Sequence, residues 1–173
     1  MSHDLKSLFQ VSEIEITYKN KTPYRDRLKV DTPWMAYDVL HSTWDAGKIE
    51  LLEQFKILLL DHSCNCLGIS EVGSGGMSDV TIDPKIVFAT ALQAKATRLI
   101  LSHNHPSGIL RPSEADILTT RRMVKAGQLL DLPVVDHLII TPQGYYSFSE
   151  HGHMPGWENG PMPQTPLPGL NIA

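Results

Sequence analysis

The chain of 173 residues is poor in cysteine, in long apolar runs and in charge of one sign. Its two cysteines, Cys64 and Cys66, stand too close together for an unstrained disulfide, and free thiols suit a reducing cytosol. Cys-x-Cys is half of a zinc site, but the sequence supplies no obvious second half. The longest apolar runs, such as Ile57 to Leu60, fall far short of the ~20 residues that span a bilayer. No basic-then-apolar leader follows Met1, so a cytoplasmic protein with no membrane association is expected. The net charge of −4 leaves no bulk footprint for nucleic acid. Internal repeats are absent too, and the remaining composition, 42% hydrophobic and 20% charged, suits one globular core.

What is present alternates between strand and helix signals. Residues 12–18, SEIEITY, set apolar Ile14, Ile16 and Tyr18 between polar neighbours, the pattern of a half-buried strand. Lys19, Lys21, Arg25, Arg27 and Lys29 then face the single Asp26, and such a charge run reads first as a solvated loop. The functional alternative is a phosphate-contacting arm, with Tyr18 and Tyr24 available for stacking. Asp31-Thr32-Pro33 signals a helix start, predicting a helix over about Trp34 to Trp44. Glu53 leads into the buried-strand run FKILLLD, and His62 to Asn65 reads as a turn into a strand over Cys66 to Val72. Gly73-Ser74-Gly75-Gly76 looks too glycine-rich for a strand interior and is expected to be a flexible loop.

Asp83-Pro84 opens a second helix, expected to run to about Ala96, and Arg98 to Ser102 reads as a strand. Ser113 opens a third helix, on which Ala115, Leu118, Met123, Ala126, Leu129 and Leu130 are expected to share the buried face. Val134 to Thr141 is a strand that Pro142-Gln143-Gly144 turns into the hairpin partner YYSF. From His151 onward, five prolines and four glycines in 23 residues predict an extended or disordered tail. The chain therefore divides into an N-terminal strand and basic arm (1–33), an α/β body around a central sheet (34–150) and a Pro/Gly-rich tail (151–173).

Chemistry concentrates in LILSHNHPSGILRPSEAD, residues 99–116. His103 and His105 are expected in a loop just past a strand, where a bend would bring both imidazoles to one ion. Ser113 and Asp116 are three apart, at one helix end. If loop and helix fold back, two nitrogens and one carboxylate converge, leaving the open fourth position of catalytic zinc. The plainer alternative is a capping box, Ser113 at the N-cap and Asp116 three residues on, worth ~1 kcal/mol and needing no metal. His137 reads as a packed, hydrogen-bonded histidine that would at most support ligands. His151-x-His153 lacks a nearby rigid carboxylate, and Gly73 to Gly76 lacks the Lys and Ser/Thr of a P-loop. A zinc deaminase is excluded, because H-x-E and P-C-x-x-C are both missing.

The joint spacing H-x-H-x7-S-x2-D, carried by His103, His105, Ser113 and Asp116, resembles the motif of JAMM/MPN-type zinc hydrolases. Glu53-Gln54-Phe55 leading into LLLD, then HNHPSG, PSEAD and Asp136-His137-Leu138-Ile139-Ile140, resemble the RadC branch in order, over roughly residues 45–150. The resemblance implies a three-layer α/β/α JAMM-type (cytidine-deaminase-like) domain with a mixed central sheet. It implies Zn2+ on His103, His105 and Asp116 with water as fourth ligand, Glu53 as general base and Ser113 as oxyanion donor. The implied activity is hydrolysis of a peptide or isopeptide bond in an unidentified protein or peptide partner. The alternative is a DNA-repair-associated module binding DNA or protein, its metal site structural or vestigial, with the basic arm as its sequence support.

Overall fold

A computed structural model of the chain describes residues 18, 22–76 and 82–155. The expected strand over 12–18 therefore lies outside the described residues except for Tyr18, which is exposed and unpaired in any strand. Lys19, Lys21 and residues 156–173 also lie outside them.

The elements in chain order are a 3-10 turn over Tyr24–Asp26, α1 (Pro33–His41), β1 (Gln54–Leu60), β2 (Cys66–Ser74), α2 (Pro84–Gln93), β3 (Arg98–Asn104), α3 (Glu114–Leu129), β4 (Val134–Thr141) and β5 (Gly144–Ser147). The strands form one five-stranded sheet in the order β2-β1-β3-β4-β5. Only β3 and β4 run parallel, joined by the α3 crossover that parallel pairing needs, so the sheet is mixed. Side chains alternate across it. Phe55, Ile57, Leu59, Leu99, Leu101 and Ile139 pack toward α2 and α3, whereas Leu58, Leu60, Ile100, Leu138 and Ile140 pack toward Ala36 and Leu40 of α1. The result is an α/β/α sandwich with two cores, one on each face of a sheet whose central strands are buried on both sides.

The helix starts follow the side chains seen in the sequence. Thr32 caps α1 through the Met35 N–H (3.4 Å) and Asp83 caps α2 through the Lys85 N–H (2.9 Å), each followed by proline in the first turn. The ends fall earlier than periodicity suggests. The Ser42 and Thr43 hydroxyls take the Val39 and Leu40 carbonyls, closing α1 at His41 instead of Trp44. α2 stops at Gln93, and the chain turns left-handed at Lys95 (φ 57°) before Ala96.

Two expectations are corrected in the sheet. Gly73 and Ser74 are not loop: they pair with Phe55 and Gln54, and the Gly75 N–H and Gly76 carbonyl bond the backbone of Glu53 at 2.8 and 2.9 Å. A register shift beside Phe55 lets this glycine-rich end follow β1 to its first residue. β3 is also longer than expected, reaching past Ser102 to Asn104 because His103 pairs with both Phe55 and Ile139.

The buried face of α3 is rotated from the expected one. Thr120, Met123, Val124 and Gly127 face inward, with Asp116 partly buried, while Leu118 and Leu129 are 63% and 88% exposed and Ala115 and Leu130 are exposed as well. A Cβ on Gly127 would lie 2.5 Å from the Leu132 carbonyl, so this glycine permits the close turn into β4. The beginning of the segment read as a tail folds onto the body: Met154 is buried, and the His153 N–H bonds the Phe148 carbonyl at 2.8 Å.

Candidate metal centre

The site forms where the end of β3, the start of β1 and the first turn of α3 meet. His103 and His105 need no bend to share an ion. Residues two apart in extended chain face the same side, and the His105 N–H still bonds the Ile140 carbonyl at 3.1 Å, as if β3 continued. His103 therefore sits in the strand, not in a loop past it, and is buried against a parallel Phe55 ring 6.0 Å away. Pro106 to Gly108 then reverse the chain, with Gly108 at φ 75°, so the Ile109 carbonyl returns to within 2.7 Å of His105 Nδ1.

Ser113 caps α3, and the capping box is complete. The Ser113 N–H and Oγ both donate to Asp116 Oδ2 at 2.7 Å, and the Asp116 N–H donates to Ser113 Oγ at 3.1 Å. The same carboxylate faces the histidines, with Oδ1 3.1 Å from His103 Nε2 and Oδ2 3.6 Å from His105 Nε2. The carboxylate that caps α3 is also the one that could hold a metal ion, so the two sequence readings do not compete. One ligand atom each from His103, His105 and Asp116 lies within 4.8 Å of the others, the one such cluster among the described residues.

Hydrogen bonds deeper in the core determine which nitrogen of each ring carries its proton. Thr120 Oγ1 donates to the Asp116 carbonyl (2.6 Å), so toward His137 Nδ1 (2.6 Å) it must accept. His137 is fully buried, and burial, reinforced by the nearby His103, pushes its pKa well below the ordinary histidine value. A neutral His137 with its proton on Nδ1 offers Nε2 as acceptor, so His103 donates from Nδ1 across 2.8 Å. The Ile109 carbonyl likewise requires the proton of His105 on Nδ1. When both rings are neutral, two Nε2 lone pairs stand 3.0 Å apart in front of a carboxylate. Such an arrangement is repulsive until a cation enters: a metal ion, or a proton added to one imidazole. The donor set fits a divalent transition metal with an open position.

The electrostatics point the same way. Burial pushes the Asp116 carboxyl up, but once the imidazoles carry added protons, their hydrogen bonds, the charge of His103 and the Ser113 N–H outweigh it, holding the group far below the usual carboxylate range. For His105, burial lowers the pKa, and the Asp116 and Ile109 contacts with the charges of Asp116 and Glu53 raise it overall. Glu53 is mostly buried immediately before β1, its backbone held on one side by Gly75 and Gly76. Its carboxylate acts electrostatically on His105 across the β1–β3 seam.

Other candidates lie elsewhere. His151 and His153 stack on Tyr146, with His153 Nδ1 2.6 Å from the Tyr146 hydroxyl. Cys64 lies beside Arg98 (3.7 Å), in the β1–β2 hairpin at the opposite end of β3. In the basic arm, Arg25 pairs with Asp26 (3.7 Å), Arg27 with Asp61 (3.2 Å) and Lys29 with Asp31 (2.9 Å). No helix among the described residues is long and apolar enough to cross a membrane. Sequence reasoning missed Thr120 and Asn104. Thr120 lies one turn after Asp116, a spacing that signals a shared helix face.

Comparison with known families matches residues 30–153 to the one described as RadC-like JAB domain. The relatives include a UPF0758 protein of Flavobacterium johnsoniae, 43% identical over 100 residues covering 58% of this chain and 44% of that one. One from Thermosynechococcus vestitus is 38% identical over 135 residues, covering 77% and 51%. A third, from Thermotoga maritima, is 40% identical over 102 residues, covering 59% and 46%. The chain thus spans about half the length of the curated relatives it matches.

Proposed function

The chain belongs to the RadC-like JAB domain family, and from that premise we propose that it is a zinc-dependent hydrolase of a peptide or isopeptide bond. The observation that carries this reading is the convergence of two Nε2 lone pairs and the Asp116 carboxylate, with both ring protons directed away from the ion position. His103, His105 and Asp116 would hold the zinc, which supplies Lewis acidity and brings the pKa of water toward ~7. Glu53 takes the proton of the attacking water and returns it to the leaving amine. What supports this role is a mostly buried position just before β1, a backbone fixed by Gly75 and Gly76, and a charge that acts on His105. Ser113 gives its hydroxyl proton to Asp116 Oδ2. Donation to an oxyanion requires that hydrogen to swing about the Cβ–Oγ bond, while the Ser113 N–H maintains the cap to Asp116.

Elemental analysis of protein prepared without chelator tests the metal, with about one zinc per chain expected and none in His103→Ala. Metal-free wild-type protein removes the assignment. Against a panel of peptide and isopeptide substrates, Glu53→Gln retains zinc and loses turnover by at least ~100-fold. Turnover equal to wild type removes Glu53 as the base.

A further inference from the structure

The residue between the two histidines is hydrogen-bonded to the chain on the other face of the sheet. Asn104 is fully buried, and its side chain points to the face of the sheet opposite His103. Its amide nitrogen donates to the carbonyls of Ile49 (2.7 Å) and Leu52 (2.9 Å), and its oxygen accepts the Gln54 N–H (2.7 Å). Both donors and the acceptor of one side chain therefore bind the chain on either side of Glu53. The Gly75 N–H and Gly76 carbonyl bind Glu53 itself from β2. β1 and β3 are last paired at Phe55 and His103, so nothing in the regular ladder ties Glu53 to the histidines.

We propose that Asn104 is the positioning residue for Glu53, coupling the acid to the two ligands that flank Asn104 in sequence. The inference rests on the hydrolase reading for the importance of Glu53, but its structural content does not. A side chain with two donors and one acceptor in one plane is required. Aspartate would retain the acceptor, lose both donors and set a buried charge against two carbonyl oxygens. Serine reaches one partner at most. Movement of residues 49–54 would carry Glu53 away, while His103, His105 and Asp116 stay in place through the β3–β4 pairing and α3.

The test compares wild type, Asn104→Ser, Asn104→Asp and Glu53→Gln, each loaded with Co(II) alone. In both Asn104 variants the ion binds with a Kd within about threefold of wild type, since no ligand has changed. The visible d–d band moves to the position it has in Glu53→Gln, and adding Glu53→Gln to Asn104→Ser moves it no further. A merely structural asparagine would lower the unfolding temperature and leave the band of wild type unmoved, which overturns the proposal. Loss of Co(II) in Asn104→Ser overturns it as well, by showing that Asn104 holds the ligands.

A second measurement needs no variant and no metal. In the wild-type chain the Gln54 amide exchanges with solvent at least ~100-fold more slowly than exposed loop amides, although Gln54 is the first residue of its strand. Free exchange at Gln54 overturns the proposal. Failure of wild type to take Co(II) instead removes the hydrolase reading, and slow exchange at Gln54 then still supports the clamp.

Discussion

A partly buried carboxylate lies near each end of the β1–β3 pair, Asp61 just after β1 and Asp116 on α3, and the two are opposites. At the hairpin end, Asp61 accepts from the Ser63 N–H (2.9 Å), the Asn65 N–H (2.9 Å), both oxygens' contacts with Asn65 Nδ2 (3.1 and 3.0 Å) and Arg27 (3.2 Å). At the other end, Asp116 has its cap from Ser113 on one side and two imidazole nitrogens on the other. Both carboxyls are held below their ordinary pKa. Burial raises each, and for Asp61 the Asn65, Ser63 and Arg27 donors overcome it, whereas for Asp116 the larger opposing contributions come from the two histidines. Asp61 closes a loop with protons the protein already owns. With both rings neutral Asp116 faces lone pairs, and the histidines hold its carboxyl low only when they carry a proton added from outside. A low carboxylate pKa therefore does not identify a site; the character of the partners does.

The comparison breaks most sharply on alanine substitution. Asp116→Ala abolishes metal binding, taking elemental stoichiometry from about one to zero, whereas Asp61→Ala leaves it unchanged and destabilises the fold by ~1–3 kcal/mol in urea unfolding. If Asp61→Ala loses metal to the same degree, the two ends are not independent.

A smaller effect reads the relay behind the site. Thr120→Val preserves shape and removes the acceptor that sets the His137 proton, so His103 loses the fixed acceptor for its Nδ1–H. Zn2+ affinity falls by ~10–100-fold by competition titration, with the fold intact by circular dichroism. Unchanged affinity would show that His103 holds its tautomer without Thr120 and His137.

The smallest effect concerns a third carboxyl. Asp136 lies on β4, and burial pushes its pKa up to about 6 against hydrogen bonds from Ser147, Ser149 and the His137 N–H. An acid with a raised folded pKa binds its proton more tightly when folded. Its contribution to stability is present below the unfolded value near 3.8 and lost as pH rises through about 6. Asp136→Asn therefore flattens the fall in stability between those pH values, by at most ~3 kcal/mol. Urea unfolding of both proteins across that range checks it, and parallel slopes would refute it.

Much of the architecture was legible from local pattern. The α/β alternation, the β4–β5 hairpin, the Thr32, Asp83 and Ser113 caps and the spacing of His103, His105 and Asp116 depend on neighbours within a few residues. What escaped depends on distant partners. Hydropathy chose Leu118 and Leu129 for the inner face of α3, but His103 and His137 on the sheet select Asp116 and Thr120. Glycine content argued for a loop at Gly73 to Gly76, where the start of β1 instead recruits the backbone into its ladder.

By itself the sequence determined which candidate donors lie close along the chain, two histidines two residues apart and Ser113 three residues ahead of Asp116 at a helix start, although it was the structure that replaced the expected bend with an extended strand. Tertiary structure alone decided the protonation pattern. The proton on His103 is directed by His137 on β4 and Thr120 on α3, and the chain next to Glu53 is held at Gln54 by Asn104, between the two histidines, across 50 residues of chain. Lone-pair direction is set by a hydrogen-bond partner, and those partners become neighbours only once the sheet has assembled.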